Sequence, residues 1–441
     1  MKLLFSYLDI RKFSRKQKIH FFINVLIGIS ITVFFYFIEH TDLGETTINK
    51  AFDFIIIREA EKSAEAMESL TAKRNIGISD QIVFAEIDHE TYKKWGNPLI
   101  TPRDKLAEIV KIAYEGGAKI IALDILLEDK DCCNPQSDRE LRNILQDMTY
   151  KKSSTKVIFP VRIDYDGKIQ RNIFKGLIEK NPNFYMAIAQ ISATADDRIV
   201  RYWVPFETFR NGNDDSVLWN MSFLIAMLNE GKEREIKEFE KTIKTSGFRN
   251  VQHFKLKHNR EITISPDKDD IYRNRIRFLL LPKNTLSGHM GGNFFDTVYQ
   301  YKEIKHASVK DKIVIVGNSS PDTGDIHPTP VGNMAGIFLI GNAVNTISLG
   351  LQPSQPPLWL NILIDTIIVI MAAFLFLHFN SFTAQIFSYV VIIPVLGIAS
   401  WFVFLSTGIF LNFIFALIGI NSHKTLAQII ESFEKKWGTL T

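Results

Sequence analysis

Residues 101–126 read TPRDKLAEIVKIAYEGGAKIIALDIL, and residues 82–88 before them read IVFAEID. Within the longer stretch Leu106, Ile109, Val110 and Ala113 recur at helical spacing, Pro102 stands where a first turn would begin, and Thr101 is the candidate N-cap. Gly116 and Gly117 end that helix, and the apolar run Lys119–Leu123 reads as a strand closing on Asp124. Ile82–Ile87 reads as the preceding strand, closing on Asp88. A strand, a helix and a second uninterrupted apolar strand predict a mainly parallel sheet covered by helices on both faces, an α/β fold.

The same alternation continues outward. Residues 138–147 read as a helix, 157–161 as a strand, 312–316 as another strand, and 334–349 as an apolar helix after a Gly-containing turn. The intervening section holds an alternating stretch at 199–206, an apolar helix around 217–228 and a charge run at 230–244, read as a solvated helix.

The chain's 441 residues carry 52 Lys plus Arg against 48 Asp plus Glu, a net charge of +4 with the signs intermixed, so nothing points to a nucleic-acid partner. The 34 Phe residues gather instead in apolar runs near the two ends. Runs at 21–38, 358–377, 386–405 and 408–423 are read as four transmembrane helices in contact with membrane lipid. Glu39, His40, Thr41 and Asp42 follow the first run where a cleavage site would need small residues, so it reads as an uncleaved anchor. Residues 1–20 carry Lys2, Arg11, Lys12, Arg15, Lys16 and Lys18 against Asp9, which places them in the cytoplasm. Four crossings then put the α/β domain, residues 39–356, outside, and return residues 424–441 to the cytoplasm as a short amphipathic tail. Cytoplasmic pieces of about twenty residues are too short to build a core, so no output enzyme is expected inside the cell.

Asp88 and Asp124 both close apolar strands, and in open parallel sheets ligands bind beyond the carboxyl ends of strands. Glu90, Arg103, Asp325 and His327 can converge with them, Arg103 serving as a countercharge to Asp124. Such a group reads either as a ligand or metal site of hard oxygen donors or as a buried salt-bridge and capping network, which leaves metal binding open. The loop 317–325, GNSSPDTGD, lacks the lysine of a phosphate-binding loop and has Pro321, so it reads as a structural turn; no cofactor is expected. Cys132 and Cys133 are adjacent, read as free thiols or as links to a partner. Asp365, Pro394 and Asn412 lie within the apolar spans as candidates for coupling helix movement. Leu426, Ile430, Phe433 and Trp437 share one face of the tail and are expected to dock on a second copy of this chain or on a cytoplasmic effector.

The order Asp88-His89-Glu90, Trp95-Gly96, Pro102-Arg103, Gly116-Gly117-Ala118, Leu123-Asp124-Ile125-Leu126, Asp196-Asp197-Arg198 with Arg201, Asp311–Gly317, Thr329-Pro330-Val331-Gly332, Gly336 and Asn342-Ala343-Val344-Asn345 resembles the second class of CHASE domains. These are extracellular sensory modules of bacterial cyclases and kinases, and the arrangement of one span before the domain and three after it is also similar. Against the usual pattern, no fused output domain is expected after the last span, and Asn97-Pro98 followed by Leu99-Ile100-Thr101 stands where many relatives have Trp-Pro. The resemblance implies a multi-pass protein of the bacterial inner membrane with its large domain extracytoplasmic. The expected role is a non-enzymatic sensor or receptor-like subunit that binds a ligand or protein outside and signals in trans. A structural or assembly subunit of a membrane complex is the alternative. An exterior metal-dependent hydrolase using Asp88, Asp124, Asp325 and His327 is a third reading, for which no nucleophile motif is present.

Overall fold

The computed structural model describes residues 14–39, 41–65, 81–131, 134–211, 214–246, 251–257, 260–265, 273–281, 298–300, 304, 309–350, 352–379, 383 and 386–411. The chain divides into two compact units, Ile56–Gln352 and Met1–Ile55 with Pro353–Thr441. In chain order the elements begin α1 (Arg15–Glu39), α2 (Asp42–Glu65), β1 (Ile82–Ile87), α3 (His89–Lys94), α4 (Arg103–Glu115), β2 (Ile120–Asp124), α5 (Pro135–Tyr150), β3 (Lys156–Pro160), α6 (Lys175–Ile178) and β4 (Phe184–Ala187). Then come β5 (Ile191–Ala193), β6 (Val200–Trp203), β7 (Phe206–Asn211), β8 (Asp214–Trp219), α7 (Met221–Glu230), α8 (Glu233–Ser246), β9 (Gln252–Lys255), β10 (Glu261–Ile264), β11 (Asn274–Arg275) and β12 (Val298–Gln300). The last are β13 (Ile313–Asn318), β14 (Ile326–Thr329), β15 (Gly332–Ala335), α9 (Gly336–Leu349), α10 (Leu358–His378) and α11 (Ile393–Thr407).

The larger unit is built on a six-stranded sheet in the order β12-β1-β13-β2-β3-β4, every pairing parallel. Successive strand residues face opposite sides. Val83, Ala85, Ile87, Ile121, Leu123, Val157, Phe159, Val314 and Val316 bury one face against Leu106, Ile109 and Val110 of α4 and Leu141, Leu145 and Met148 of α5. The other face receives α7 and α9. There Phe84 packs on Phe338 with ring centroids 5.2 Å apart, and a Cβ at Gly341 would lie 2.3 Å from Phe84, so only glycine lets this helix approach. Asp124 alternates onto this α9 side. Register places Gly317 of β13 between Glu86 of β1 and Asp124 of β2, forming one row across the sheet.

Local chemistry sets several boundaries differently from the sequence reading. Pro102 occupies the N-cap position of α4 with no side-chain cap, so Thr101 does not cap that helix. The apolar run around 217–228 is divided: β8 ends at Trp219, and Asn220 accepts a hydrogen bond from the Ser222 backbone N–H to start α7. The charge run forms α8, whose Ile236, Phe239 and Ile243 are buried, and Phe239 packs against Trp219 and Phe254. It is therefore solvated on one side only.

In the smaller unit α1 packs on α10, and a Cβ at Gly28 would lie 2.4 Å from Val369, a close approach that a small residue permits. Pro394 lies in the first turn of α11, directly after a π-helical turn at Ser388–Ile392. Proline lacks an N–H and crowds the carbonyl four residues back, so the wider turn relieves it. Gly408 ends α11 in the left-handed region, after which Ile409 bridges to Ser354 and Phe410 packs against Phe52 with centroids 4.5 Å apart and the rings tilted by 52°. Among the described residues, Tyr389–Thr407 is long and apolar enough to cross a membrane alone. The pair Val25–Glu39 and Asp42–Lys62, bent by 89°, is a second candidate when taken as one span, and Trp359–Met371 is a shorter apolar stretch.

Candidate polar cavity at the strand ends

Beyond the carboxyl ends of β13, β2 and β3 lies a cavity of about 760 Å³. Asn318 enters it from the end of β13, Asp124 from the end of β2, and Val161–Ile163 continue the wall after β3. Leu99–Thr101 with Arg103, the turn Thr323–Asp325, Ile125–Leu126 with Glu128 and Asp129, and Ile188–Gln190 with Glu207 complete the lining.

Two glycines make room for its two central carboxyl groups. A Cβ at Gly317 would lie 3.2 Å from Asp124 Cβ and 3.0 Å from Ile337, and one at Gly336 would lie 2.3 Å from Asp325 Oδ2. The Gly336 backbone N–H donates to the Asp325 carbonyl at 3.1 Å, and Asp325 Oδ1 lies 2.9 Å from His327 Nε2. Burial, and then the neighbouring charge of Asp325, push the Asp124 carboxyl up to about 8. Burial also raises Glu207, against a hydrogen bond from Gln190 that lowers it.

Several polar atoms in the wall are buried without a hydrogen-bond partner: Asp124 Oδ2, Asn318 Nδ2 and Glu128 Oε1. Asn318 is 8% exposed, and its Oδ1 accepts from the Ser320 backbone N–H at 2.8 Å, while its amide nitrogen is buried without a partner.

Arg103, 1% exposed, is not the countercharge of Asp124. Its Nη1 donates to the Thr101 carbonyl at 3.1 Å and its Nη2 to the Leu126 carbonyl at 3.0 Å, while Nε lies 4.0 Å from Asp138. Burial lowers its proton affinity, opposed by Asp138, Asp131 and Asp129. The guanidinium thus fastens two stretches of the cavity wall, and Asp124 has a second carboxyl for a neighbour.

Of the sequence candidates, Asp124, Asp325 and Arg103 share the cavity lining, and His327 joins through Asp325. Asp88 accepts from the Thr91 backbone N–H at 2.9 Å as the cap of α3, and Glu90 lies exposed, 3.5 Å from Lys94. Neither lines the cavity. Asp365 is half-buried on α10. Cys132, Cys133, Asn412, Leu426, Ile430, Phe433 and Trp437 lie outside the described residues. Among the described residues, no three His, Cys, Asp or Glu side chains are grouped to hold a metal ion.

Asn318, Glu128, Arg162, Gln190 and Glu207 belong to the site and were not singled out in the sequence. Asn318 closes an apolar strand as Asp88 and Asp124 do, and that same signal would have found it. Several motif residues turn out to brace the fold. Asp197 grips Arg201 through both carboxylate oxygens at 2.9 and 2.7 Å, and Asn342 exchanges hydrogen bonds with the Leu280 backbone at 2.7 and 2.6 Å.

One family model, described as the CHASE2 domain, matches residues 29–378. No curated protein and no solved structure matches the chain.

Proposed function

The chain belongs to the CHASE2 family of extracellular sensory domains, and we propose that it is an integral membrane sensor subunit that takes up a small molecule in the Asp124–Asn318 cavity. The bound state is passed through the membrane helices to a separate cytoplasmic protein, and the chain acts as a sensor rather than an enzyme. The observation that supports this reading is a cavity of about 760 Å³ at the strand ends whose lining includes Asp124 and Asn318, each of which also holds a buried polar atom, Oδ2 and Nδ2, without a hydrogen-bond partner. A desolvated polar group without a partner costs about 1–3 kcal/mol, and a ligand that pairs with it recovers that loss.

In this reading the spans are residues 21–38, 358–377, 386–405 and 408–423, with the basic N-terminus in the cytoplasm and the α/β domain outside, in a bacterial inner membrane. The tail face Leu426, Ile430, Phe433 and Trp437 meets the effector or a second copy. A reporter active only outside the cytoplasm should work when fused after Lys73 and fail when fused after Thr441. Activity at both sites would reject four crossings.

For ligand uptake, the full chain in detergent should show raised melting temperatures with a subset of a polar small-molecule library. The change Ala189→Trp, which places bulk in the cavity, should abolish those shifts. Shifts that persist in the filled variant, or a library with no active compound, would reject the cavity as the sensory site.

A further inference from the structure

We propose that residues 42–55 of α2 lie along the outer surface of the membrane, with Leu43 and Phe54 seated among phospholipids and the Lys50 ammonium at their phosphates. The inference rests on the four-span reading above and adds a lipid contact outside the spans. Helices α1 and α2 differ sharply in what they carry. Between residues 19 and 38 α1 has no Asp, Glu, Lys or Arg, whereas nine of the 24 residues of α2 are of those types. Charges at that density exclude α2 from the hydrocarbon layer. The chain turns away instead, with α2 bent by 89° from α1. The elbow is built by Thr41, whose hydroxyl donates to the Ile38 carbonyl at 2.6 Å and accepts from the Gly44 backbone N–H at 3.3 Å. A Cβ at Gly44 would lie 2.1 Å from that same carbonyl oxygen, so the first turn of α2 rests directly on the last turn of α1.

The level at which α2 lies follows from what it packs on. Phe52, 0% exposed, packs against Phe410, whose backbone N–H donates to the Ser354 carbonyl at 2.9 Å. The Ser354 N–H donates in turn to the Gly408 carbonyl at 3.0 Å. Ser354 lies four residues before α10 and Gly408 ends α11, so Phe52 sits level with one end of each helix. In the four-span reading those are the outer ends, where the exposed Tyr36 and Trp359 supply the aromatic rings usual at a membrane interface. On the face opposite Phe52, residues Leu43, Thr47, Lys50 and Phe54 follow at steps of four, three and four. Leu43 and Phe54 are 71% and 60% exposed, and the Thr47 hydroxyl is turned to the Leu43 carbonyl at 2.8 Å. An apolar stripe with one long cation matches the boundary between acyl chains and phosphates, the lysine reaching up to the latter. A second copy on this face would have to bury the Lys50 ammonium, and lysine is depleted from such contacts.

Spin labels on the full chain in phosphatidylglycerol nanodiscs test this, in a Cys132→Ser, Cys133→Ser background. Labels at Leu43→Cys and Phe54→Cys should be shielded from a water-soluble nickel chelate about threefold or more relative to a label at Tyr165→Cys, a fully exposed position. Adding Lys50→Glu should return the Phe54 label toward the Tyr165 value, and shielding that it leaves unchanged would overturn the phosphate contact. A label at Phe34→Cys on α1 reports the span itself; if it too is open to nickel, the membrane reading fails together with this one. Nickel access at residues 43 and 54 equal to that at Tyr165, with Phe34 shielded, would overturn the surface helix alone. Shielding accompanied by dipolar broadening between Phe54 labels would assign the face to a second copy and overturn the lipid contact. The two α2 positions are read separately, so a variant that fails to fold leaves the other to decide.

Discussion

Arg277→Ala is expected to destabilise the unit spanning residues 56–352 by about 3–5 kcal/mol, the range for breaking a buried ion pair from one side. Arg277 and Glu59 have side chains 2% and 4% exposed. Arg277 Nε donates to Glu59 Oε2 at 3.1 Å and Nη2 donates to Oε1, while the Arg277 backbone N–H donates to Thr346 Oγ1 at 2.9 Å. Truncating the arginine leaves a carboxylate buried without its charge partner. The double change Arg277→Met with Glu59→Leu should recover most of the loss, since the desolvation of such a pair nearly offsets its attraction. Urea unfolding of the full chain in detergent measures both variants. Equal losses in the single and double variants would show that packing, and not the charge, is what matters at this position.

The second large effect is a dependence on pH of opposite sign to that of most carboxylates. The Asp124 carboxyl is raised from 3.8 to about 8 in the folded protein, first by burial and then by Asp325. Between those two values the folded chain holds a proton that the unfolded chain releases, so stability falls as pH rises through that window. Each unit of difference corresponds to ~1.36 kcal/mol, which amounts to a few kcal/mol across the window. The neutral variant Asp124→Asn should flatten this decline and melt above the parent at pH 8, with the gap closing toward pH 4. Parallel melting profiles from pH 4 to 8 would mean that Asp124 is charged in the folded state.

Much of the architecture was written in local patterns. The runs Ile82–Ile87, Ile120–Asp124 and Ile313–Asn318 are apolar on both faces because helices cover both sides of the sheet, and such runs are visible without any knowledge of the partners. The stretch from 217 to 228 was harder. Its apolar character is continuous, and the break between β8 and α7 depends on one capping side chain, Asn220. Pairings between distant residues were not legible at all. Glu59 and Arg277 are 218 positions apart, and nothing local in either segment marks them as a pair. Asp124 was recognisable as the end of a strand, yet its neighbour, Asp325, is set by the turn that follows a strand inserted much later in the chain. The expectation that Arg103 would neutralise Asp124 followed from charge alone. Backbone carbonyls of Thr101 and Leu126 took the guanidinium instead, which no sequence pattern announces.

The close seat of Asp325 on Gly336 has a mechanical side. A Cβ at that position would lie 2.3 Å from the carboxylate, so there is no slack between the turn and the first residue of α9. That helix runs 14 residues, about 21 Å at 1.5 Å per residue, and its middle is pinned by Asn342 and Thr346 to the segment around Arg277–Leu280. A rod so held has little bending compliance. A displacement of the Asp325 turn therefore loads the hydrogen bonds that Asn342 and Thr346 make with that segment, instead of bending the helix.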